Sequence, residues 1–152
     1  MSTTKHARPT NVKVKRSSAG LGLYAAVPMK KRETIIEYIG RRIASKDGDE
    51  LDQNSYIFTV NSKLDIDGSP RWNTARYANH SCRPNAESVI RKGRVFIVAI
   101  KNILPDEEIT YDYGSDFFNH YIKPFGCKCV KCTAKREKEK AKTKTEKISS
   151  AC

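Results

Sequence analysis

Apolar and polar positions alternate over short spans of this chain, and glycine, proline or charge interrupts them every few residues. That pattern predicts strands rather than long helices. Val12-Lys13-Val14-Lys15 alternates apolar and basic residues and predicts a first strand. Thr34–Ile39 predicts a second, closed by Gly40, and two short ones are expected at Tyr56–Val60 and Lys63–Ile66. Ser88–Arg91, the dipeptide Lys92-Gly93 and Arg94–Ile100 predict a β-hairpin, and Ile109–Tyr113 a further strand. Residues from about Ile43 to Leu51 are polar with weak helical spacing, and Lys46-Asp47-Gly48-Asp49 predicts a loop within them. Arg71–Tyr77 predicts a short helix. From Thr133 to Lys147 charged residues recur at helical spacing without an apolar face, which predicts a solvated helix or a disordered tail. The expectation is a mainly β fold, β-rich with short helices. Without regular alternation of strand and long helix, a doubly wound parallel sheet is excluded.

That exclusion decides the reading of Gly20-Leu21-Gly22-Leu23-Tyr24-Ala25, which nominally fits a dinucleotide-binding fingerprint. The fingerprint needs a helix opening on its glycines. Val27-Pro28 follows at once and breaks any such helix. The glycines still imply that the backbone turns tightly or approaches another group closely.

The 152 residues suit one domain with one proper core. The longest apolar run, Val95–Ile100, is far short of the ~20 residues needed to span a bilayer. Met1–His6 lacks the apolar stretch of a secretory signal. An intracellular chain with no membrane partner is expected. The net charge of +12 is concentrated at the ends. Lys5, Arg8, Lys13, Lys15 and Arg16 face no acid within residues 1–18, and six lysines and Arg136 face three glutamates within 133–152. Basic ends flanking a nearly balanced body favour polyanionic surroundings, so nucleic-acid contact through the termini is expected, a solvated solubility tail being the alternative. Of the five cysteines, Cys82 stands apart, Cys127, Cys129 and Cys132 are grouped, and Cys152 is terminal and expected to be a free thiol. In an intracellular chain that grouping suggests metal more than disulfides. Cys127-x-Cys129-x-x-Cys132 offers three thiolates where tetrahedral zinc takes four ligands.

Four segments matter together: Gly20-Leu21-Gly22-Leu23; Arg76-Tyr77-Ala78-Asn79-His80-Ser81-Cys82-Arg83-Pro84-Asn85; Glu107-Glu108-Ile109-Thr110-Tyr111-Asp112-Tyr113-Gly114; and Cys127-Lys128-Cys129-Val130-Lys131-Cys132. Singly, each has an ordinary explanation, as a turn, a polar bridge or one face of a strand. In this order they resemble the SET-domain lysine methyltransferases, including the short cysteine-rich post-SET segment. The likeness covers about residues 10–132, and the run from Asn79 to Asn85 is its most specific part. Glu37-Tyr38-Ile39-Gly40 and Ser55-Tyr56-Ile57-Phe58 look like the family's intervening strands. A cysteine-rich pre-SET module is not expected.

The resemblance implies a basic arm at 1–9, a SET domain at 10–120, a post-SET zinc segment at 121–132 and a lysine-rich tail at 133–152. It also implies a C-terminal pseudoknot, with Tyr111–Gly114 threaded through the loop around Asn79–Asn85. S-adenosylmethionine would be held by the backbone of Gly20, Leu21, Gly22 and Leu23, by Tyr56, Arg76 and Asn79, and by the main chain of His80. A target lysine would enter a channel lined by Tyr38, Tyr111 and Tyr113, with Tyr113 orienting the amine and Tyr111 favouring monomethylation. Cys82 would complete a zinc site with Cys127, Cys129 and Cys132. The partner would be a histone or another basic, nucleic-acid-associated protein, in the nucleus or on chromatin if the host is eukaryotic and in the cytoplasm or nucleoid otherwise. The alternative is a non-catalytic basic zinc-containing module that binds nucleic acid or chromatin.

Overall fold

The computed structural model describes residues 8–18, 20–45 and 56–149. The loop expected at 46–49, most of the basic arm, Ser55 and Cys152 lie outside the described residues. Among the described residues there are ten strands: β1 (Val12–Ser17), β2 (Gly20–Ala25), β3 (Thr34–Tyr38), β4 (Arg41–Ala44), β5 (Ile57–Thr59), β6 (Leu64–Asp67), β7 (Asn79–His80), β8 (Ala86–Arg91), β9 (Arg94–Ala99) and β10 (Glu108–Tyr111). A 3₁₀ turn, Thr74–Tyr77, precedes β7. After β10 the chain coils through α1 (Ser115–Phe117), a π turn (Phe118–Ile122) and a 3₁₀ turn (Lys123–Phe125), then runs into α2 (Val130–Ser149).

The expected β-rich architecture is the observed one, with local differences. The glycine-rich segment at 20–25, which carried no strand expectation, is β2, paired antiparallel to β1 from Val12↔Ala25 to Ser17↔Gly20. Both implied uses of glycine occur there. Gly20 has φ +104°, and a Cβ on Gly22 would lie 2.6 Å from Glu108 Oε1. Residues 41–44, at the edge of the segment with weak helical spacing, form β4 because they pair with β6, Arg42 opposite Ile66. Cross-strand pairing here overrides a weak local signal. The charged segment after Val130 is a helix, half-buried at Cys132 and Thr133 and solvent-exposed over the side chains described beyond them.

The large sheet has the order β1-β2-β10-β8-β9-β3, and β4-β6-β5 forms a separate three-stranded sheet. β10, late in sequence, thus lies beside β2 on one side and beside β7 and β8 on the other. It pairs antiparallel with β2, Ile109 opposite Leu23, and parallel with β7, Tyr111 opposite His80. Leu23 and Ile109 are both fully buried, in a cluster with Ile97, Ile103, Ala25 and Ala99. A smaller cluster of Tyr38, Val60, Ile66, Ala75 and Val95 joins the two sheets.

The implied tuck of the C-terminal strand against the 79–85 loop is present as hydrogen bonds. Asn85 Nδ2 donates to the Glu108 carbonyl at 2.8 Å, and Asn85 Oδ1 accepts from the Thr110 amide at 3.0 Å. The Ser81 amide donates to the Tyr111 carbonyl at 3.2 Å. Replacing Asn85→Ala strips both side-chain bonds from a strand with little access to water. Urea unfolding is expected to show a loss of about 1–3 kcal/mol per group left unsatisfied, with faster amide exchange at Thr110.

Candidate active site

β10 and the residues after it bring two tyrosines, Tyr111 and Tyr113, into one aromatic group. Tyr111 is 5% exposed on the buried face of β10, and the Tyr113 ring lies 4.7 Å from it, centroid to centroid. Tyr113 also meets Phe117 edge-on at 4.9 Å and His80 at 5.4 Å. Its hydroxyl donates to the Ala78 carbonyl, and its amide donates to His80 Nδ1 at 3.1 Å. That bond puts the imidazole proton on Nε2, which faces Cys82 Sγ at 3.4 Å. Burial lowers the His80 pKa against the opposing pull of Asp112, so a neutral ring fits both contacts.

Tyr38, from β3, is 4% exposed; its hydroxyl donates to the Tyr56 carbonyl at 2.7 Å, and its ring packs on Phe58. Tyr56 is covered by the Arg76 guanidinium, 4.2 Å from its ring centroid, and Arg76 also lies over Tyr77 at 5.4 Å and donates to the Ser69 carbonyl. Burial raises the pKa of Tyr38, Tyr111 and Tyr113, and their neighbouring tyrosines reinforce it. All three hydroxyls therefore stay protonated at neutral pH. They can donate and orient; they cannot serve as bases.

A cleft of about 700 Å³ opens next to this group. Its lining includes Asn79, His80, Glu108, Tyr113, Lys128 and Cys129. Asn79 is its hub: Nδ2 donates to the Leu21 carbonyl at 2.9 Å, Glu108 Oε1 at 3.0 Å and Ser17 Oγ at 3.1 Å. Of the residues expected to hold a cofactor, Asn79 and His80 line the cleft, and Leu21 is tied to it through Asn79. Leu23 is fully buried in the core, Tyr56 is bonded to Tyr38 through its carbonyl, and Arg76 lies over the Tyr56 ring. Glu108, Ser18 and Tyr121 line the cleft without having been singled out by sequence. Glu108 stood inside a quoted motif, but only the fold turns its carboxylate toward Asn79. The volume suits an organic cofactor, since small-molecule sites run to about 300–1,000 Å³.

Two of the cleft's lining residues, Cys127 and Cys129, belong to a group of four cysteines. The Sγ atoms of Cys82, Cys127, Cys129 and Cys132 all lie within 4.8 Å of one another, Cys82 and Cys132 at 3.6 Å. Thiolates about 2.3 Å from a tetrahedral zinc stand roughly 3.8 Å apart, so the donor set and spacing fit that ion. Cys132 sits in the first turn of α2, whose start closes the cluster. The same segment is tied back to the start of the chain, where Ser18 Oγ donates to the Lys128 carbonyl at 3.1 Å. Burial works against the Cys129 thiolate. Hydrogen bonds from the Cys82 and Cys132 amides and from neighbouring thiols outweigh that and bring its pKa to about 6. Burial and the crowding of thiols push Cys127 up to about 11 and Cys82 further. Four thiolates so close need a cation to coexist.

A family model described as "SET domain" matches residues 20–114. The chain is similar to "Histone-lysine N-methyltransferase 2D" of Homo sapiens, 36% identical over 80% of this chain and 2% of that protein. It is similar to "Histone-lysine N-methyltransferase, H3 lysine-4 specific" of Emericella nidulans, 38% identical over 60% of this chain and 8% of that protein. It is also similar to "Histone-lysine N-methyltransferase trr" of Drosophila melanogaster, 36% identical over 80% of this chain and 6% of that protein. The chain thus spans a small part of the length of these relatives.

The raised tyrosine pKa values have a thermodynamic consequence. In the unfolded chain tyrosines ionise near ~10, whereas the three buried ones hold their protons longer. The folded state is therefore favoured fully below that pH and loses this contribution as pH rises above it. Urea unfolding at increasing pH above ~10 is expected to show falling stability, and Tyr38→Phe is expected to make the fall shallower.

Proposed function

The chain belongs to the SET-domain family, and on that premise we propose that it transfers a methyl group from S-adenosylmethionine to the side-chain amine of a lysine in a protein substrate. One observation carries the reading: Tyr113 both lines the cleft and packs on Tyr111 in the tyrosine group. It stands where a cofactor on one side and a side chain on the other would meet. When bound, S-adenosylmethionine supplies a sulfonium methyl for displacement by a neutral amine. Asn79, His80 and the backbone of Gly20, Leu21, Gly22 and Leu23 would hold it, with Tyr56 and Arg76 bordering the tyrosine side.

The lysine must arrive uncharged. With a free pKa of ~10.4, its neutral form costs roughly 4.6 kcal/mol at pH 7. Buried rings of Tyr38 and Tyr111 disfavour the ammonium and lower that cost. Positioning can supply ~7–11 kcal/mol, which suits a site whose tyrosines are fixed by carbonyl and ring contacts. Tyr113 acts through its hydroxyl, already committed to one acceptor, and Tyr111 crowds the amine and favours monomethylation. Cys82, Cys127, Cys129 and Cys132 would hold zinc and keep residues 121–132 folded over the cleft, between the domain at 10–120 and the tail at 133–152.

Relatives named for histones and for H3 lysine-4 suggest a histone-like, basic partner and a place on chromatin. The basic ends are consistent with a substrate held on nucleic acid. Among the described residues no helix is long and apolar enough to cross a membrane.

Peptide-array methylation tests the reading. Tyr113→Phe is expected to lower turnover ~100-fold or more while cofactor binding persists, and Tyr111→Phe is expected to shift product from mono- toward di- and trimethyl-lysine by mass spectrometry. Equal rates for wild type and Tyr113→Phe would remove the central claim. Atomic spectroscopy is expected to give one zinc per chain, and a chelator, or Cys127→Ser, is expected to melt the C-terminal segment and abolish cofactor binding.

A further inference from the structure

A second concentration of charge lies outside the cleft, at the tip of the β8–β9 hairpin. Lys92 and Gly93 both adopt positive φ, 50° and 73°, making the narrow two-residue turn that matches strand twist. Arg91 and Arg94 form the last cross-strand pair, and both guanidinium groups lie over the Phe96 ring, at 5.9 and 5.2 Å. Arg42 reaches over from β4 and donates to the Gly93 carbonyl at 2.7 Å, adding a fourth cation and joining the second sheet to the tip. All four basic residues are exposed. Glu37, the acid paired here among the described residues, is engaged by Arg94 through two bonds of 2.8 and 2.7 Å. Glu87 stands four residues back along β8. Among the described residues, Arg42, Arg91 and Lys92 therefore project charge that no ion pair offsets.

We propose that this tip is a docking point for the phosphate backbone of duplex DNA, in addition to any contact made by the basic ends. Charge is the first argument. A +12 chain concentrates polyanions around itself, and a fixed cluster gives them a place to settle. Shape is the second, because a narrow β-ribbon tip can approach a groove and its flanking phosphates. The third argument separates duplex from single strand. Binding of unpaired bases relies on open aromatic faces, and Phe96 is already covered by two arginines. The contact reads phosphate, not sequence. It does not rest on the methyl-transfer reading, because it is measured without cofactor or peptide.

The test is fluorescence anisotropy of the full chain with a mixed-sequence DNA duplex of about 20 base pairs across a salt series. Replacing Arg91→Gln and Lys92→Gln together is expected to weaken binding roughly three- to tenfold and to flatten the log–log salt slope by about 1.8, the signature of two lost phosphate contacts. Lys30→Gln with Lys31→Gln, an exposed pair in the turn after β2, removes the same charge and is expected to change affinity less than about twofold if position matters. Superimposable thermal melts show that the variants are folded. The proposal is overturned by unchanged affinity and slope in the hairpin variant. Equal losses in the two double variants, or tighter binding of a single-stranded oligonucleotide or a glutamate-rich peptide than of the duplex, overturn it as well.

Discussion

Asn85 donates to the Glu108 carbonyl and accepts from the Thr110 amide, so a single side chain supplies hydrogen bonds to the backbone of a strand more than twenty residues further on. Buried backbone groups must find partners, and β10 finds them on β2, on β7 and β8, and on this asparagine. Everything at the site depends on that placement. With β10 fixed, Tyr111 faces the core, Tyr113 falls at the edge of the cleft, and Glu108 meets Asn79. Remove the interlock and the tyrosines are ordinary residues near the end of an ordinary strand.

His80 extends the same arrangement toward the cysteines. Its Nδ1 accepts from the Tyr113 amide and its Nε2 meets Cys82 Sγ, so one neutral ring spans the aromatic group and the thiol cluster. Ser18, just after β1, adds a second link by donating to the Lys128 carbonyl. The cleft is thus bordered by groups from three distant parts of the chain.

Much of this was legible in the sequence, for identifiable reasons. The β8–β9 hairpin was read from Lys92-Gly93 because a two-residue turn needs positive φ and glycine tolerates it. The four cysteines were grouped correctly because metal spacing is written in residue type, although Cys82 came only from the family likeness. β2 was not read, since its glycines look like breaks, and only the neighbouring strands and the approach of Glu108 explain them. β7 is two residues long and carries no periodicity at all. Tyr56 and Arg76 were expected around the cofactor; the Arg76–Tyr56 stack is tied to Tyr38 by a hydrogen bond across eighteen residues that no local pattern encodes.

The order of these segments along the chain has a consequence for biosynthesis. β2 and the 79–85 loop leave the ribosome before β10, and the cysteines of the terminal segment come later still. Pairings of such long separation form slowly, because chain entropy must be surrendered before they give any return. A nascent polypeptide halted before Glu108 would therefore carry an open slot between two finished edges, a template for foreign strands. Occupying that slot completes the large sheet and covers both exposed edges in one step, before the cysteines that follow are gathered.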